Sequence, residues 1–195
     1  SRVQVPLPAP DNSDLFSNSK TFIFLIRLTM FRILTICFIL TSDISFASSM
    51  KMIGEKGEEK DVTKVITVKM FDNYYEPNKI NVKKGETVKF IVKNLGELVH
   101  EYNIATKDMH LKHQPEMAKM VEHEILLADR IDKDRMKEMA KKDHTMAHKH
   151  SNSLLLEPNQ TGEIVWKFST SAKLEVACNV PGHYETGMVA KIIKD

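Results

Sequence analysis

Apolar and polar residues alternate with a period of two along most of the chain after residue 62. Ile66, Val68 and Met70 alternate with Thr67 and Lys69, and Val88, Phe90 and Val92 alternate with Lys89, Ile91 and Lys93. Lys79 to Val82 reads as a short strand. The run from Leu98 to Ala105 puts His100, Tyr102 and Ile104 on one face. The pattern returns at Leu154 to Leu156, at Glu163 to Phe168 and at Lys173 to Cys178, where Leu174, Val176 and Cys178 share a face; Val189 to Ile193 closes the chain. Turn residues separate these runs at Asp72-Asn73, Glu76-Pro77-Asn78, Lys84-Gly85 and Asn94 to Gly96, and Asn179 to Gly187 is a longer loop. Short alternating runs punctuated in this way predict an all-β fold, an antiparallel sandwich or barrel.

The alternation stops at Thr106 and resumes at Ser153. Between them, residues 107–150 are rich in Met, His, Lys and Glu. Met117, Met120, Val121, Ile125 and Leu126 recur at helical spacing, and Pro115 suits a first helical turn. Helices are predicted over 115–129 and about 131–142, as an insertion into the β domain.

Upstream, Thr21 to Leu40 is apolar but broken by Arg27 and Arg32. The part from Met30 to Ala47 has a basic residue, an apolar core from Ile33 to Leu40 and a small-x-small end at Ser45-Phe46-Ala47, the form of a secretory signal. Residues 1–29 are then an upstream extension without assigned role, 48–61 a flexible lead-in, and 62–195 the domain. Export implies a soluble periplasmic protein with no stable membrane insertion after cleavage. It also removes Cys37 and leaves Cys178 the only thiol, an unpaired cysteine in an oxidising compartment that calls for a purpose. A formal net charge of +2 with mixed signs excludes a nucleic-acid surface.

That purpose lies in Cys178-Asn-Val-Pro-Gly-His183-Tyr-Glu-Thr-Gly-Met188. A thiolate, an imidazole and a thioether follow one another around one strand-loop-strand connection. His100, on the inward face of an upstream strand, supplies a second imidazole. Two imidazoles, a thiolate and a weak axial thioether form the donor set of a copper electron-transfer centre, because sulfur favours Cu(I) while nitrogen accepts Cu(II).

These residues resemble the blue copper proteins, the cupredoxin family, and the C-terminal loop resembles its longer-loop members such as rusticyanin and auracyanin. Tyr75 to Ile80, Lys84 to Val88 and Leu98-Val-His100-Glu-Tyr are similar to the family's early strands. The resemblance covers roughly 62–106 and 153–195. It implies a Greek-key sandwich of seven or eight strands holding one type-1 copper through His100, Cys178, His183 and Met188. Many members carry Asn or Ser after the first histidine, bracing the loop and bonding the thiolate. Here the residue is Glu101, whose ionised carboxylate cannot donate to sulfur, so the tuning of the site is open.

The insertion adds a second candidate. Six of the chain's eleven methionines and six of its eight histidines lie between Met109 and His150. Met109, His110, His113, His144, Met146, His148 and His150 are candidates for additional, loosely bound copper. Met117, Met120 and Met139 serve equally well as the buried stripe of a packed helix. Two functions follow: periplasmic copper handling and tolerance, or a dedicated electron carrier with a redox partner protein. An enzymatic role is not expected, since a single domain shows no trinuclear copper motif.

Overall fold

The structure is a computed structural model describing residues 52–195. The upstream extension, the signal-like stretch and Cys37 lie outside the described residues. Among the described residues there are ten strands: β1 (Glu55–Lys56), β2 (Lys64–Phe71), β3 (Tyr74–Glu76), β4 (Lys79–Val82), β5 (Thr87–Asn94), β6 (His100–Ala105), β7 (Ser153–Leu156), β8 (Thr161–Lys167), β9 (Glu175–Ala177) and β10 (Val189–Lys194). They form two five-stranded sheets, ordered β1-β8-β5-β2-β3 and β4-β10-β9-β6-β7.

The all-β sandwich is as predicted, but its sheets are mixed rather than antiparallel. β2 runs parallel to β5, and β4 parallel to β10. Alternation reports which face of a strand is buried, not the direction of its neighbour, so the sequence could not distinguish the two. The inner faces meet in a core that includes Val68, Phe90, Tyr102, Ile104, Trp166 and Val176. The lead-in contributes too: Ile53 is fully buried, its carbonyl accepts from Trp166 Nε1 at 3.2 Å, and β1 pairs with β8.

β6 is buried at all six positions. His100, Tyr102 and Ile104 face the sandwich core as predicted, while Glu101, Asn103 and Ala105 are covered from the other side. The cover comes from the insertion, which leaves the sheet after β6 and returns at β7, its antiparallel neighbour.

Within the insertion, helix α1 spans Lys107–Glu122 and helix α2 spans Lys133–Met139. α1 therefore begins eight residues before Pro115, which lies inside it. The start is set by Thr106, whose side chain accepts from the Met109 N–H at 3.3 Å and caps the helix. Glu124, at φ +53°, turns the chain out of α1, so the helix does not continue to residue 129. Asp132 caps α2 by accepting from the Arg135 N–H at 2.8 Å. Met117, Met120, Ile125, Leu126 and Met146 pack with Val99 into a second apolar cluster, edged by Met136, Met139 and Val180. The methionine stripe is thus packing. No helix among the described residues is long and apolar enough to cross a membrane.

Candidate metal centre

Three strands and one loop assemble the site. His100 opens β6, and Cys178 directly follows β9, which pairs antiparallel with β6. The loop after Cys178 returns into β10, the other neighbour of β9. It is closed by its own backbone: Cys178 N–H donates to the Met188 carbonyl at 3.2 Å, Met188 N–H to the His183 carbonyl at 3.0 Å, and His183 N–H to the Val180 carbonyl at 3.0 Å. Gly182 turns the loop at φ +88°, a conformation that suits glycine.

The structure brings His100, Cys178 and His183 together. Cys178 Sγ lies 3.4 Å from His183 Nδ1 and 3.9 Å from His100 Nδ1, and the three donor atoms all lie within 4.8 Å of one another. Donors bound about 2.0–2.3 Å from a shared ion would stand roughly 3.3–3.8 Å apart, so this spacing fits a metal. Met188 is fully buried in the same apolar cluster as Cys178.

The orientation of His100 is fixed from behind. Its Nε2 lies 3.0 Å from Asp72 Oδ1, which also accepts the N–H groups of Glu97 at 2.9 Å and Leu98 at 3.2 Å. Nδ1 is thereby left facing Cys178, an arrangement typical of metal-bound histidine. Gly96 makes room for this contact: a Cβ there would sit 2.2 Å from Asp72 Oδ1 and 3.0 Å from His100 Nε2. Burial lowers the pKa of His100 against the pull of Asp72, and burial with the neighbouring His100 lowers that of His183, so both rings favour the neutral, ligating form. Burial pushes the Cys178 thiol up to about 12, against the N–H groups of Glu101 and Val180 that favour the thiolate. Such a thiol stays protonated until a cation takes its place.

Glu101 plays a part that its side-chain chemistry alone did not indicate. Its backbone N–H donates to Cys178 Sγ at 3.3 Å, so the thiol has a donor whatever the side chain. The carboxylate braces the loop instead: Oε2 accepts from the Asn179 N–H at 3.2 Å and from Asn179 Nδ2 at 2.7 Å. Oε1 accepts from Ser153 Oγ at 2.6 Å and Asn103 Nδ2 at 3.1 Å.

Oε1 also faces a second cluster. His113 Nε2 is 3.2 Å away and His148 Nε2 2.8 Å away. His113, His148 and His150 present ligand atoms within 4.8 Å of one another. Glu116 completes the group, 3.2 Å from His113 Nδ1 and 3.4 Å from His150 Nε2. Burial opposes charge here, but the facing groups outweigh it: Glu101 and Glu116 raise His113 to about 10, His113 and His150 lower Glu116 to about 2, and His113 and His148 hold Glu101 well below its ordinary value. Two carboxylates beside three imidazole donors offer two negative charges to a divalent cation, which would displace the ring protons on binding.

The other candidates of the insertion stand apart from this cluster. His110 is buried, with Nδ1 3.1 Å from Asn179 Nδ2 and its ring against Tyr184. Met109 packs on the main core and Met146 is buried in the second apolar cluster. His144 is exposed at the start of a 3-10 turn, His144–Ala147. Sequence reasoning missed Asp72, Glu116 and Asn179. The one available signal was Glu116, three residues from His113 on a helix.

Residues 33–130 match the family model described as a cupredoxin-like domain. A copper-resistant cuproprotein CopI of Pseudomonas aeruginosa is 39% identical over 153 residues, covering 71% of this chain and 80% of that protein. The chain belongs to the cupredoxin family. A second relative, the copper-resistant cuproprotein CopI of Rubrivivax gelatinosus, is 29% identical over 141 residues, covering 72% of each chain. Among solved structures, auracyanin B shares the cupredoxin fold with a TM-score of 0.51 at 12% identity, over 73% of this chain and 96% of that one.

Proposed function

We propose that this cupredoxin is an exported, redox-active copper protein that serves periplasmic copper handling and tolerance. His100, Cys178, His183 and Met188 hold a type-1 copper. The observation that carries this reading is the metal-sized spacing of one thiol and two inward Nδ1 atoms beneath a self-closed loop. The copper-resistant relatives support the role, and the signal-like stretch from Met30 to Ala47 supports export.

Copper supplies one-electron exchange between Cu(I) and Cu(II). The chain supplies the rest. Cys178 gives up its proton on metal binding and becomes the soft anionic donor. Asp72 fixes the His100 tautomer, and the N–H of Glu101 stabilises charge on sulfur. Burial of Cys178 and Met188 keeps water from the thiolate, and the backbone-closed loop holds the donors in one arrangement for both oxidation states.

His113, His148 and His150, with Glu101 and Glu116 behind them, hold a second cation. This narrows the additional copper-binding region to three histidines. The electron-carrier reading draws on one observation: His183 is only half-buried, beside apolar Leu98, Val121, Leu127 and Pro181. Electron exchange through that edge serves either role.

Copper stoichiometry and the visible spectrum of the purified protein test the assignment. The expected result is two coppers per chain and an intense thiolate-to-copper band that disappears in Cys178→Ser. A band that survives in Cys178→Ser refutes the site. If cells carrying His113→Ala and His150→Ala tolerate copper as well as the parent, the handling role of the cluster fails.

A further inference from the structure

Glu101 stands between the two donor clusters and touches both. Its N–H donates to Cys178 Sγ at 3.3 Å. Its Oε1 meets His148 at 2.8 Å and His113 at 3.2 Å, and its Oε2 holds Asn179, the residue after Cys178, by two bonds. Backbone and carboxylate of one fully buried residue thus fix the thiol, the loop that carries it and two histidines of the second cluster.

We propose that Glu101 and Asn179 are positioning residues that make the sulfur environment of Cys178 respond to a cation on the His113–His148–His150 cluster. The inference rests on the two-site reading above. A cation held by His113 and His148 competes with Oε1 for their Nε2 atoms, and the carboxylate must readjust. No bulk water reaches Glu101 to absorb that change. It passes instead along two routes: through the hydrogen bonds of Oε2 to Asn179 and the loop, and through the Glu101 backbone to the N–H···Sγ bond. Outer hydrogen bonds to a thiolate ligand tune the metal it binds, so the Cys178 centre registers occupancy of its neighbour. Linkage makes the effect reciprocal: the oxidation state of the Cys178 centre alters the affinity of the cluster.

Zinc is the probe, being redox-inactive and without a visible spectrum. Full-length protein is loaded with one equivalent of copper until the thiolate-to-copper band is complete, then titrated with zinc. One equivalent of zinc is expected to bind, to move the position or intensity ratio of the thiolate bands, and to bind with an affinity differing about fivefold between oxidised and reduced copper. Asn179→Ala is expected to bind the same zinc equivalent while the band shift shrinks. Asn179→Ser gives the same answer if the alanine protein misfolds. His150→Ala is expected to lose the zinc equivalent and the band shift together, with the copper band intact.

Zinc that binds without moving the bands overturns the coupling and leaves the two-site reading standing. So does a band shift that survives in full in Asn179→Ala, which would assign the effect to the zinc charge acting through space. Zinc binding that His150→Ala leaves unchanged overturns the coupling and the second site together. Absence of the thiolate band at the outset overturns the first site.

Discussion

Replacement of Glu101 by leucine tests how far the buried carboxylate organises this part of the molecule. The carboxylate accepts from Asn179 N–H, Asn179 Nδ2, Ser153 Oγ and Asn103 Nδ2, and offsets the charge of His113. Leucine is close to it in size, so packing changes little while these donors lose their acceptor. Each orphaned buried donor costs about 1–3 kcal/mol, and removing one partner of a buried ion pair costs about 3–5 kcal/mol. Some donors will turn to other acceptors, so a figure no larger than that for the ion pair alone, about 3–5 kcal/mol, is the expectation. For a chain of this size each kcal/mol lowers Tm by roughly 2–4 °C, so Tm should fall by about 10 °C or more. The assay is thermal unfolding followed by circular dichroism, with chelator present and metal absent. Glu101→Gln keeps the shape and one acceptor oxygen and should lose less. A Glu101→Leu protein within about 1 kcal/mol of the parent would refute the reasoning, since it would mean that the network carries no net stability.

Further expectations follow from the same geometry. Asp72→Ala frees His100 Nε2 and should weaken copper binding at the Cys178 centre by about 10–100-fold in a competition assay; unchanged affinity would show that the ring needs no anchor. Gly96→Ala should broaden or shift the thiolate band, because the new Cβ displaces Asp72 and His100. With its thiol at about 12, Cys178 in metal-free protein should resist alkylation at pH 8 and react only as the chain unfolds; rapid labelling of folded protein would contradict this. The cluster also sets a pH window for metal-free protein. His113, raised from 6.5 to about 10, contributes stability in full below pH 6.5 and loses it as pH rises through 10. Glu116, lowered from 4.5 to about 2, contributes above pH 4.5 and loses it as pH falls towards 2. Urea midpoints should therefore decline on the alkaline side, and His113→Gln should remove that decline.

The sandwich and the first site were legible because their signals are local. Period-two alternation marked the strands, and Cys178, His183 and Met188 lie within one loop. His100 was legible by its face on a strand. The parallel pairings were not, because direction of pairing leaves no trace in alternation. Nor was Glu101. A carboxylate between His100 and Tyr102 reads as the solvent side of a half-buried strand, and only the covering insertion buries it. Five of the six histidines of the insertion were singled out, but composition cannot tell which three converge. His113 comes from α1 and His148 and His150 from the approach to β7, and their meeting depends on how the chain between them folds. The helix starts were misplaced because Thr106 and Asp132 act as caps, whereas Pro115 is tolerated mid-helix.

The place where the insertion joins the sandwich has a consequence of its own. β6 and β7 are antiparallel neighbours, with Asn103 opposite Ser153, so the chain departs and re-enters at adjacent points. A two-residue turn would serve the sheet equally well. The segment between is therefore free to lengthen, shorten or be exchanged without disturbing any strand register, provided that what replaces it still shelters Glu101. The molecule is in this sense a fixed redox chassis with one exchangeable compartment, and its capacity for metal can change in evolution or by design without rebuilding the centre beneath it.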